Sequence, residues 1–240
     1  MSLPARLGLI ALATIASSLV GFAVNSRWLL PLLNALPACL LMIVSVARRK
    51  RAEAIGLMVW WALVLGLSSV ALTMTWPERA SEVILNGASY RDEMFAWLST
   101  GMGRESTPSI FVPQHLAHAA VFCVLSLATG GCASILMGAV LMNYMSFYVG
   151  ELIARCAGSP SHALAIALAW NPWSMVRVVS FIVLGVVLAE PLLSRAAGRG
   201  PDRRGRRAWL VAGAAGLLVD IALKSLLAPR WPGLLGACLG

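Results

Sequence analysis

Residues 111–156 read FVPQHLAHAAVFCVLSLATGGCASILMGAVLMNYMSFYVGELIARC, two apolar stretches that meet at Gly130-Gly131. A helix of ~20 residues crosses the ~30 Å hydrocarbon core of a bilayer, and each stretch is about that long. Yet the pair carries His115, His118, Asn143, Tyr144, Tyr148 and Glu151. Such side chains are costly in lipid, so they face a protein interior or a watery cavity. This hairpin sets the fold class and marks where function is to be sought.

The rest of the chain repeats the pattern. Of 240 residues, 59% are hydrophobic and 12% charged, and the mean hydropathy is +0.81. That composition belongs to multi-span membrane proteins. The predicted architecture is an all-α, polytopic transmembrane bundle forming one domain over 1–240, with about seven spans at 7–24, 28–47, 55–76, 111–130, 132–154, 162–193 and 208–228. The sixth is over-long and holds Trp170-Asn171-Pro172-Trp173, which predicts a break near the middle of the membrane. Residues 77–110 interrupt the apolar pattern and carry five of the ten acidic residues. Within them Ser89 and Asp92 have the spacing of a capping box, and Tyr90, Met94, Trp97 and Leu98 form one apolar face. A short amphipathic helix follows from that spacing, either as an interfacial anchor or as a lid over the bundle mouth.

The net charge of +9 does not point to nucleic acid. Ten of the nineteen basic residues sit in Arg48-Arg49-Lys50-Arg51 and between Arg195 and Arg207, in short links between apolar spans. Links of this kind orient spans by the positive-inside rule and meet anionic lipid headgroups. With both links in the cytoplasm, the N-terminus is inside an inner membrane, the C-terminus outside, and the 77–110 segment extracytoplasmic. The five cysteines, Cys39, Cys123, Cys132, Cys156 and Cys238, are widely spaced in or beside apolar stretches and are expected as free, packed thiols.

Depth along the helices, at ~1.5 Å per residue, brings the polar side chains together. His115, His118, Glu151, His162, Asp220 and Lys224 fall in the outer half of the bundle, whereas Arg177, counted from His162, falls in the inner half, to snorkel or reach toward Asp220. Tyr144, Tyr148 and Glu151 share a stripe, and Asp220 and Lys224, four residues apart, share a face on which they can neutralise each other. Asn171 and Arg177 mark either a packing kink or a broken helix open to an anionic ligand.

Three functions suit such a pocket. The first is transport of a small solute or ion, alone or within a larger complex or homo-oligomer. The second is a membrane-embedded enzyme in which His115, His118 and Glu151 hold a transition metal, since imidazole and carboxylate are ordinary ligands for one. The third is a non-catalytic subunit whose polar side chains meet a partner in the membrane. The spacing of the histidines is not that of a zinc-protease helix, and no phosphate loop or dinucleotide fingerprint is present.

Overall fold

A computed structural model describes residues 2–160, 162–200 and 204–236. The elements are α1 (Leu3–Val24), α2 (Leu29–Ala47), α3 (Arg51–Thr75), α4 (Pro77–Val83), α5 (Gly87–Thr100), a 3-10 turn Arg104–Ser106, α6 (Pro108–Thr129), α7 (Cys132–Arg155), α8 (His162–Leu168), α9 (Pro172–Ala196), α10 (Arg206–Leu227), a 3-10 turn Ala228–Arg230 and α11 (Trp231–Leu235). Among the described residues, seven helical stretches are long and apolar enough to cross a membrane: α1, α2, α3, α6, α7, α8 with α9, and α10 with the tail through Leu235. The chain is thus an all-helical bundle of polytopic, membrane-like character.

Local chemistry explains the starts and turns. Pro4, Pro77, Pro108 and Pro172 open α1, α4, α6 and α9, where a missing N–H costs nothing. The α6–α7 link is two residues long, and both glycines take left-handed φ, +61° at Gly130 and +89° at Gly131. Only glycine adopts that conformation freely, so the pair dictates a tight antiparallel hairpin. Hydroxyls inside the apolar helices bond back to their own backbone, as Thr14 does to the Ile10 carbonyl and Ser126 to that of Phe122, which spares the hydrocarbon an unpaired donor.

α7 is the central helix and packs against α2, α3, α5 and α6. At Gly150 a Cβ would sit 2.9 Å from the Thr73 side chain and 3.2 Å from the Val70 carbonyl, so glycine is what lets α7 close on α3. α10 lies outermost and packs chiefly on α9, where Gly213 admits Leu184. The arginine-bearing links lie at one end of the bundle. α4, α5 and the following 3-10 turn lie across the other, which is called the capped end below.

Several expected boundaries shift. α3 begins at Arg51 rather than 55, because its first turn is anchored by charge rather than by apolar residues. The break in the sixth stretch is at Ala169–Asn171, near one end, so the 25-residue α9 is by itself long enough to cross and α8 is a separate short helix. α4 was not legible as a helix. α5 starts at Gly87 behind a left-handed Asn86, so Ser89 lies inside it and caps nothing. Its apolar face is turned onto the bundle: Met94, Trp97 and Leu98 are buried with Tyr148, Leu152, Trp173 and Trp231. The apolar face of α5 is thus packed on the bundle rather than left free.

The cysteines are not all free. Cys39, Cys123 and Cys132 are, but Cys156, at the capped end of α7, is disulfide-bonded. Cys238 and Arg203 lie outside the described residues.

Candidate functional site

The polar cluster forms where α6, α9 and α10 meet beneath the cap. Asn171 is extended, Pro172 restarts the helix, and Arg177 therefore falls on the second turn of α9. Its Nε and Nη2 donate to the two carboxylate oxygens of Asp220 on α10, at 2.8 and 2.9 Å. The fork geometry makes this among the strongest of side-chain hydrogen bonds. Nδ1 of His115 lies 3.5 Å from the same carboxylate, whose side chain is only 2% exposed. Arg177 thus stands level with His115 and Asp220, not in the opposite half of the bundle. The earlier break before α9 removes the rise that counting from His162 had assumed.

Lys224, one turn beyond Asp220, does not pair with it. Its ammonium meets Glu105 at 2.8 Å and lies over the Phe111 ring at 4.6 Å from the centroid. The two share a face of α10, but each charge has its partner across an interface, Asp220 on α9 and Lys224 in the segment before α6. Glu105, a surface acid by sequence, is therefore part of the site. Two opposite-charge pairs are set side by side, and Arg177, Asp220, Lys224 and Glu105 together carry no net charge.

Arg177 and His118 both border two cavities. A small one of about 20 Å³, roomy enough for a single water, is lined by His115, His118, Arg177 and Asp220 together with apolar residues of α6, α9 and α10. A larger one of about 90 Å³ runs between α2, α3, α6, α7 and α9. Its polar lining is His118, Tyr144, Ser174 and Arg177, with Ser134 toward the other end. The rest, including Met42, Met58, Trp61 and Val186, is largely apolar. His115 Nδ1 is buried without a hydrogen bond and is aimed at Asp220. Buried polar atoms are normally satisfied, so such an atom beside a water-sized space is notable.

The α7 stripe does a different job. Tyr144 meets Tyr90 of α5 at a tilt and Tyr148 meets it edge-to-face, with ring centroids 4.7 and 6.0 Å apart, and Glu151 faces Arg91 at 3.8 Å. Burial, reinforced by Glu105 and the neighbouring tyrosines, holds the Tyr90 phenol well above its ordinary pKa, so it stays protonated. Glu151 is thus engaged by the cap. Among the described residues no group of three or more His, Cys, Asp or Glu is placed to hold a metal ion, and the set His115, His118, Glu151 is not assembled. His162 begins α8 with its Nδ1 unbonded, and Asn171 is buried with its Oδ1 unbonded, but neither lines the two cavities.

A second buried network ties α1, α2, α3 and α7. Ser17 and Ser18 donate to the Asn34 side-chain oxygen at 3.1 Å, the Asn34 amide reaches Asn143 at 3.4 Å, and Ser69 donates to Asn143 at 3.0 Å. Single polar residues inside apolar spans were the only signal of it, and nothing in the sequence paired them. Comparison with protein families, curated proteins and solved structures finds no match.

Proposed function

We propose that the protein carries a small solute or ion across a cytoplasmic membrane, with the cavity beside Arg177, Asp220, His115 and His118 as its binding site. The observation that carries this reading is Arg177 itself. It is locked by Asp220 on one edge while its side chain keeps 21% exposure at a cavity in the middle of an apolar bundle. Ionised groups at such a place are expensive unless they serve a pathway. The two flanking cavities supply space on both sides of it.

The orientation has the arginine-rich links in the cytoplasm and the cap outside. The disulfide at Cys156 supports this, because disulfides persist in oxidising compartments and Cys156 is at the capped end. A tag inserted after Lys50 should be accessible only from the cytoplasm, and one near Ser89 only from outside.

Reconstitution into liposomes tests the transport reading. Wild-type protein should move protons or one of a panel of anions, from chloride and acetate to dodecanoate, faster than empty liposomes, and His118→Phe, which keeps a ring but removes the imidazole that borders both cavities, should abolish that flux. Flux no greater than that of empty liposomes, or flux untouched by His118→Phe, would refute the site.

A further inference from the structure

The shape of the larger cavity says more about its occupant. On α7 its lining runs from Ser134 to Met145, a rise of about 17 Å, and on α9 from Ser174 to Val186, a rise of about 18 Å. The cavity is therefore a trough along the helix axes rather than a compact chamber. All its charge lies at one end. Arg177 and His118 stand there with Tyr144 and Ser174, while Met42, Met58 and Val186 lie toward the arginine-rich end. A small hydrophilic ion has no use for such a trough, and a neutral apolar molecule has no use for its head.

We infer that the occupant is a single-chain anionic amphiphile, a carboxylate or phosphate headed by Arg177 with an acyl-like chain of about ten to twelve carbons, whose bonds of ~1.5 Å, shortened by their zigzag, give a similar length; the enclosed space of about 90 Å³ sheathes only one side of such a chain, and hydrocarbon at the open wall covers the other. This rests on the reading of the cavity as a transport site and names the class of substrate. Arg177 spends Nε and Nη2 on Asp220, among the described residues its Nη1 donates to no protein group, and the side chain lines the trough. A head bound there meets an oriented guanidinium whose other edge is already fixed, so little order is lost on binding. The way in is lateral. Gly138, Leu141 and Met145 on the α7 wall are only half-buried although they lie in the middle of an apolar helix, so what reaches them comes from hydrocarbon rather than from water.

Gly138 provides a clean test, because a Cβ there meets nothing within 4 Å. Gly138→Leu fills the trough without touching the charged end. Saturable binding of radiolabelled dodecanoate should be measured with the protein in nanodiscs of zwitterionic lipid, after subtraction of empty discs. Wild type should bind dodecanoate, Gly138→Leu should bind it about tenfold more weakly or worse, and acetate should compete poorly. Dodecanol and dodecyltrimethylammonium should also compete poorly, and dodecyl phosphate tells a phosphate head from a carboxylate by which of the two binds more tightly. Folding of Gly138→Leu is checked by an unchanged melting temperature, and Ala62→Leu, on the α3 side of the same trough, serves if it is not.

The ligand class is overturned if dodecanoate and dodecyl phosphate both show no saturable binding, or if the filled variants bind as tightly as wild type. The transport reading stands or falls separately, on the His118-dependent flux.

Discussion

The two ends of the bundle use the same residue types to different effect. At the arginine-rich end Arg51 grips Glu190 through both its Nε and its Nη2, at 2.8–3.0 Å, with both side chains nearly buried. Arg6 and Lys50 converge on Glu53, and Arg199 donates to the Ala47 carbonyl that ends α2. These acids neutralise arginines where helices begin and end, and the space beside Glu190 admits no water. At the capped end the Arg177–Asp220 pair has the same fork geometry, but it borders open space, shares its carboxylate with a histidine, and is followed one turn on by a second buried pair. Among the described residues, one buried polar atom without a hydrogen bond, His115 Nδ1, lies beside that pair, and five more belong elsewhere at the capped end, those of Trp97, Tyr148, His162, Asn171 and Trp173, against two at the other end, Ser45 and Arg206. What separates a structural ion pair from a functional one here is not the pair but the unfilled hydrogen-bonding capacity and volume around it.

The comparison is broken most forcefully by removing one partner at each end. Arg177→Met and Arg51→Met each strand a buried carboxylate, and each should lower stability by ~3–5 kcal/mol in thermal unfolding. Arg177→Met with Asp220→Asn, and Arg51→Met with Glu190→Gln, should recover most of that loss. If neither single change matters, the pairs are solvated and the burial argument fails. The Asn34–Asn143 network sharpens the contrast, because it is satisfied yet far from either end. Asn143→Ala, which leaves Ser69 and the Asn34 amide without their acceptor, should cost ~1–3 kcal/mol in the same assay. The smallest stability effect is expected at His115, whose Nδ1 has no hydrogen bond to lose. His115→Gln should stay within about 1 kcal/mol of wild type while its flux falls, a split between stability and activity that a purely structural histidine would not show.

Much of the bundle was legible because hydropathy reports span length directly. The Gly130-Gly131 hairpin and the face shared by Asp220 and Lys224 follow from local chemistry alone. What the sequence could not show is partner choice across interfaces. Lys224 was read with the nearest charge along the chain, and only the docking of the segment before α6 brings Glu105 to it. Arg177 was placed too deep because an extended link at Ala169–Asn171 looks like continuous helix when all its neighbours are apolar. The floor of the larger cavity, Met42, Met58 and Trp61, was invisible for the opposite reason, since apolar residues lining a space and apolar residues filling a core share one signature. Cys156 shows the same limit, for a cysteine in an apolar stretch reveals its bond only through the residue it meets.

The central claim is that the charged cluster at the capped end is functional and its counterpart at the other end is structural. Proteoliposome flux of the two neutralised double variants, reconstituted side by side with wild type, tests it directly. Arg51→Met with Glu190→Gln should retain wild-type flux to within about twofold, whereas Arg177→Met with Asp220→Asn should lose it while remaining folded. Equal flux from both folded variants, or loss confined to the Arg51 variant, would contradict the account.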